Sequence, residues 1–199
     1  DDPKAKLNLP YDVPANAFMN MEGFKVSGSR NWSVPMLEAL ERHDPDPLRY
    51  FLTAVMPETR DSDWSWEAYV ERNNSELVAN WGNLVNRVLK MTRRYFAGVV
   101  PNAGGLRQQD RVLLAEIDKG FDEVAKQYDS CSFRAALQET LRLSTRVNQY
   151  LEEQRPWTTA KTDMEATEQT LFTALQALNG LKVLFSPILP FTCQQLHEM

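Results

Sequence analysis

Three side chains in this sequence have the chemistry to stack on an unpaired nucleic-acid base and read its edge. Asn83 and Arg87 sit in Gly82-Asn83-Leu84-Val85-Asn86-Arg87, one turn apart if the segment is helical. Trp157 follows a proline in Glu152-Glu153-Gln154-Arg155-Pro156-Trp157. An indole face is a stacking platform, and an amide offers both a donor and an acceptor. A guanidinium adds planar donors and a second stacking surface. Each residue also has a plainer reading. Asn83 and Arg87 could tie helices together or pair with acidic neighbours, and Trp157 could seal the end of a core, as most tryptophans do.

These residues need helices to position them. Leu77, Trp81, Leu84, Val88, Met91 and Tyr95 recur at three- and four-residue intervals, which predicts a helix over residues 66–96 with that stripe facing a core. Asn83 and Arg87 fall about 80 to 120° to one side of the stripe, on the border of the buried face where neighbouring helices leave grooves. Further helices are predicted over 108–128, over 133–155 and over 164–185, with a short one from 191. The third of these long helices turns Phe133, Ala136, Leu137, Leu141, Ser144, Val147 and Leu151 inward. Pro156 ends it, fixing its own backbone angle and pushing Arg155 towards extended geometry. Four long helices with short connections predict an all-α antiparallel bundle.

Ahead of the bundle, Ser33 is expected to cap a helix over 34–42. Asp46 is expected to cap a second helix through 55, with Pro47 at its first position. Trp64 and Trp66 precede the long helix and face opposite ways if extended; they read as packing anchors between residues 1–63 and the bundle. Residues 17–21 read as a short strand followed by a turn at Glu22-Gly23, with no β-rich block after 33. The loop Lys25-Val26-Ser27-Gly28-Ser29 could bind phosphates through its ammonium and backbone N–H groups, or be a solvated Ser/Gly turn.

Composition narrows the classes. The chain has 199 residues, 43% hydrophobic and 25% charged, with a net charge of −5. It is long enough to bury a core without staples, and its net charge argues against non-specific nucleic-acid binding. The charge is uneven: residues 81–115 carry six bases against one acid, and residues 38–76 carry ten acids against four bases. A basic patch on an acidic protein fits a partner read at one spot, though charge runs are also ordinary solvated helix faces. Cys131 and Cys193 are expected to be reduced thiols. With two histidines and no paired-cysteine or HExxH pattern, no metal site is expected. No stretch has the length and apolarity of a membrane span, and the start lacks the apolar segment of a signal peptide. Residues 7–24 read as the tail of a larger unit, so the chain is expected to be a fragment.

Taken in order, Lys25-Val26-Ser27-Gly28-Ser29, Asn83-Leu84-Val85-Asn86-Arg87, Pro156-Trp157 and Leu189-Pro190-Phe191 closely resemble the C-terminal part of the methionyl-tRNA synthetases, class I aminoacyl-tRNA synthetases, over essentially the whole chain. The resemblance implies a short remnant of an α/β catalytic domain over 1–33, a helical region contacting the tRNA stem over 34–65, and an anticodon-binding bundle over 66–199. It makes Asn83, Arg87, Pro156 and Trp157 the anticodon-binding residues; by their charge, Lys90, Arg93 and Arg94 are expected to steer the anticodon stem through its phosphates. Lys25, Ser27 and Ser29 match the family's Lys-Met-Ser-Lys-Ser loop, which stabilises the transferring phosphates of ATP. Gly28 stands where the family has its second lysine. The implied partners are methionine tRNA, through its anticodon stem-loop, and a missing catalytic domain, in the cytoplasm and without a membrane. No cofactor is implied for this fragment, which is expected to be inactive alone; ATP, with Mg or Zn, belongs to the complete enzyme. The alternatives are the anticodon domain of a leucyl- or cysteinyl-type synthetase, and a helical protein-interaction module with an apolar groove and a buried Trp157.

Overall fold

A computed structural model describes residues 10–199. Their order is β1 (Met19–Met21), β2 (Phe24–Lys25), α1 (Met36–Arg42), α2 (Pro45–Ala54), β3 (Ser62–Trp64), α3 (Trp66–Arg72), a π-helical stretch (Asn73–Gly82), α4 (Asn83–Phe96), α5 (Gln108–Asp129), α6 (Phe133–Gln154), α7 (Pro156–Thr159), α8 (Met164–Phe185) and α9 (Pro190–His197). The predicted all-α bundle is present, preceded by a small sheet. No helix among the described residues is long and apolar enough to cross a membrane.

The sheet has the order β2-β1-β3. β1 and β2 form an antiparallel hairpin, turned by Glu22 (φ 51°) and Gly23 (φ 76°); two consecutive positive φ angles are what a tight hairpin turn requires. β3 pairs parallel to β1, with Met21 opposite Trp64. A strand after residue 33 was not expected. Its side chains close a satellite core in which Met19, Met21 and Val34 pack with Ala39, Leu48, Phe51, Trp64 and Tyr69. Trp64 and Trp66 do not diverge as an extended pair would; their rings meet edge to face at 5.4 Å. The cause is that α3 starts at Trp66, with the Ser65 hydroxyl accepting from the Ala68 N–H, so Trp66 is turned back within one residue.

Two predicted caps differ. Pro35, not Ser33, precedes α1. α2 starts at Pro45, where a missing N–H costs nothing, so Asp46 is free of capping duty there. It is buried and accepts instead from the backbone N–H groups of Thr192 (2.6 Å) and Phe191 (3.4 Å). It therefore caps α9, while Arg49 donates to the carbonyls of Pro187 and Ile188. The α2 surface thus grips the α8–α9 turn from both polarities.

The predicted long helix over 66–96 is right-handed throughout, but its middle ten residues are π-helical. It closes at Ala97 (φ 53°) and Gly98 (φ 85°), a left-handed C-terminal turn. The main core joins Trp81, Leu84 and Val88 to Leu113, Ile117, Leu137, Val147, Leu151, Leu178, Leu181 and Phe185. α5 and α8 approach so closely that a Cβ built on Gly180 would lie 2.6 Å from the Ile117 Cγ2. Ile117 is β-branched and stiff in a helix, so it cannot swing away. Gly180→Ala should therefore lower the urea midpoint: overpacking of about 1–3 kcal/mol outweighs roughly 1 kcal/mol gained in helix propensity. A raised midpoint would show that the α5–α8 contact can open without cost.

Candidate nucleic-acid interface

α4 lies beside α6 because Leu84 and Val88 on one helix and Val147 and Leu151 on the other are fully buried in a common core. The residues just outside that seam are polar. At its start, the Asn80 amide donates to the Thr145 hydroxyl (2.9 Å) and the Leu141 carbonyl (3.3 Å). The Asn80 Oδ1 accepts from Ser144 and Asn148, each at 3.0 Å. Two turns further on, Arg87 Nη2 donates to Glu152 Oε1 at 2.6 Å. The Arg87 guanidinium also lies over the Trp157 ring, 5.3 Å from its centroid, within cation–π range. Arg87, Glu152 and Trp157 thus form one half-exposed cluster at the end of the α4–α6 seam.

Asn83 is exposed on α4, one turn before Arg87, and its amide has no hydrogen-bond partner among the described residues. At about 100° per residue, Asn83, Arg87, Lys90 and Arg94 share a stripe about 60° wide, while Arg93 lies outside it. Lys90, Arg93 and Arg94 are all exposed, and the Arg94 guanidinium rests over the Tyr95 ring at 5.6 Å.

The setting of Trp157 depends on Arg155. Arg155 is left-handed (φ 47°, ψ 57°), not extended as its place before Pro156 predicts. Its N–H still donates to the Leu151 carbonyl, ending α6, while its own carbonyl accepts from Thr158 and Thr159 and starts α7. One left-handed residue therefore joins two helices without a loop. Pro156 is buried, and Trp157 is half-buried beside it. A left-handed non-glycine residue costs about 1–3 kcal/mol, and surrounding packing must hold it.

Glu152 and Asn80 were not singled out from the sequence. Glu152 stood in the quoted segment, but its partner is 65 positions away, and nothing in local spacing pairs them. The Arg87–Glu152 contact is exposed, with 35% and 61% of the two side chains accessible. Such pairs contribute about 0–1 kcal/mol, so its effect is to aim the guanidinium. Glu152→Gln should accordingly shift stability by less than about 1 kcal/mol in urea unfolding; a larger loss would make Arg87 a helix tie.

Ser27 and Ser29 lie on a second hairpin, just beyond Lys25 at the end of β2. Ser27 and Trp32 exchange backbone hydrogen bonds at 2.9 Å, and the Ser27 and Ser29 hydroxyls lie 3.2 Å apart. The Lys25 ammonium sits 5.6 Å from the Phe18 ring centroid. Among the described residues no group of three or more His, Cys, Asp or Glu side chains could hold a metal ion.

A family model described as the anticodon binding domain of methionyl tRNA ligase matches residues 100–199. The chain belongs to that family. A second model, described as tRNA synthetases class I (M), matches residues 3–89. The methionine–tRNA ligase of Roseiflexus castenholzii is 52% identical over 193 residues, which are 97% of this chain and 32% of that protein. The methionine–tRNA ligase of Thermomicrobium roseum is 48% identical over 97% of this chain and 33% of its own length. The chain therefore spans about a third of the length of these methionyl relatives. Among solved structures, Mycobacterium tuberculosis methionyl-tRNA synthetase in complex with methionyl-adenylate superposes with a TM-score of 0.85 at 28% identity, covering 92% of this chain and 37% of that one.

Proposed function

We propose that this chain reads the anticodon of methionine tRNA, as the C-terminal part of a cytoplasmic ligase that joins methionine to that tRNA. The observation that carries the reading is the Arg87 guanidinium held over Trp157, with the unpaired Asn83 amide one turn away on the same helix face. A base arriving at the end of the seam would stack on the indole. Its edge would meet the amide of Asn83 and the planar donors of Arg87. Lys90 and Arg94 share the stripe and would meet phosphates of the same loop; Arg93, off the stripe, would act at longer range. A protein-interaction module is disfavoured by the polar side chains along the seam: Asn80, Asn148, Arg87 and Glu152.

The segment of Lys25, Ser27 and Ser29 fits a phosphate-contacting role in part. Lys25 and Ser29 are exposed and Ser27 is half-buried, and a side chain at Gly28 would meet nothing within 4 Å. In a complete ligase this segment would hold ATP phosphates against a nucleotide site supplied by a catalytic domain. The purified chain should therefore show no methionine-dependent pyrophosphate exchange; exchange above background would refute the assignment of that chemistry to a separate domain.

The reading is tested by ¹⁹F NMR of the chain labelled with fluorotryptophan. Addition of a methionine anticodon stem-loop should shift the Trp157 resonance and leave those of buried Trp64 and Trp81 in place. Saturable binding with an unmoved Trp157 resonance would place the RNA elsewhere.

A further inference from the structure

We propose that Arg155 is a backbone-phosphate contact for the same RNA, set beside the Trp157 platform by its left-handed conformation. The inference rests on the anticodon reading above and adds a residue to it. Three observations carry it. Arg155 occupies a helix-ending position with φ 47°, where glycine or asparagine is the residue the backbone favours. It also precedes a proline, which disfavours this geometry further. The chain nevertheless places there a long cation, whose side chain contributes nothing to the turn: the bonds that end α6 and start α7 use only its N–H and carbonyl.

The second observation is that the guanidinium is free. Arg155 is exposed, and the two acids nearest in sequence are both engaged, Glu152 by Arg87 at 2.6 Å and Glu153 by Arg146 at 3.3 Å. Among the described residues Arg155 has no ion-pair partner. The third is position: Arg155 is separated from the stacking indole only by buried Pro156, so the backbone geometry of one sets that of the other. A nucleotide stacked on Trp157 brings its phosphodiester within reach of a neighbouring side chain of this length. A phosphate oxygen accepting from the guanidinium is the contact such a fork makes best. Phosphate contacts fix register and carry no base information.

The contact predicts opposite responses of folding and binding in one variant. Arg155→Gly should fold with a melting temperature no lower than the parent, because glycine accepts positive φ without steric cost. It should bind the methionine anticodon stem-loop several-fold more weakly at low salt. The slope of log K against log salt should fall in magnitude by about 0.7, the amount one single-strand phosphate contact contributes. The parent's preference for the methionine loop over a base-changed loop should be unchanged, and Arg155→Lys should keep the parent slope. An unaltered salt slope in Arg155→Gly, or a loss of affinity equal at all salt concentrations, would overturn the proposal. If the parent protein failed to bind the stem-loop, the anticodon reading itself would be refuted, an outcome visible before any variant is compared.

Discussion

Trp157→Ala is expected to weaken binding of the methionine anticodon stem-loop by about 1–3 kcal/mol, the usual loss for one base–aromatic stack. Its effect on folding should be smaller than the about 3–5 kcal/mol lost when a fully buried aromatic is truncated, because Trp157 is half-buried and its ring is covered in part by the half-exposed Arg87 guanidinium. Trp81 is the internal control. It is 2% exposed and packs on Phe185 at 4.7 Å, so Trp81→Ala should incur the full core loss of about 3–5 kcal/mol. Denaturant midpoints and stem-loop affinities of the two variants check this directly. A Trp157→Ala protein as unstable as Trp81→Ala, with RNA affinity intact, would make Trp157 a core residue.

A stability loss as large as that of Trp81→Ala is expected at Asp110. Its carboxylate is fully buried and accepts from the Arg107 N–H at 2.8 Å, from Arg107 Nε at 2.9 Å and Nη2 at 2.8 Å, and from the Tyr150 hydroxyl at 2.6 Å. Arg107 also donates to the Thr170 hydroxyl at 2.9 Å, so the network joins α5, α6 and α8. Asp110→Ala removes the counter-ion of the partly buried Arg107 and the acceptor of the buried Tyr150 hydroxyl and should cost about 3–5 kcal/mol, read from urea unfolding. Burial opposes ionisation of Asp110, but the hydrogen bonds from Arg107 and Tyr150 prevail and hold its carboxyl below the ordinary value of 3.8. A depressed folded-state value means the unfolded chain binds the proton more readily. The contribution is therefore fully present above about pH 4, near the unfolded value, and is lost as pH falls from there through the folded-state value. Below pH 4, Asp110→Ala and parent stabilities should converge; a constant gap would place the network's effect in packing.

Helices with continuous apolar stripes were legible: the expected spans 108–128, 133–155 and 164–185 correspond to Gln108–Asp129, Phe133–Gln154 and Met164–Phe185. Pro156 was legible as the end of α6, because a proline stops a helix locally. The remainder depends on partners distant in sequence. Asn73–Gly82 is π-helical, with i→i+5 backbone bonds, and the three- and four-residue spacing of Leu77, Trp81 and Leu84 reads as an ordinary α-helix. Asp46 looks like a cap for the helix it sits in, and only the fold brings the α9 N-terminus to it. Glu152 orients Arg87 across 65 positions, and Asp110 meets Tyr150 across 40. Left-handed Arg155 contradicts the local rule for a residue before proline; buried Pro156 and the backbone bonds of Arg155 to α6 and α7 hold it there.

The central claim, that the α4–α6 seam reads base identity, is tested most directly by one ratio. It is the affinity of the chain for a methionine anticodon stem-loop divided by its affinity for the same loop with one anticodon base replaced, at matched, moderate salt. Hydrogen bonds to a base edge from Asn83 and Arg87 predict a ratio of about five or more, since a lost base-edge contact costs roughly 1–3 kcal/mol. A ratio of one would mean that the basic stripe holds RNA by charge alone, and the claim of anticodon reading would be contradicted.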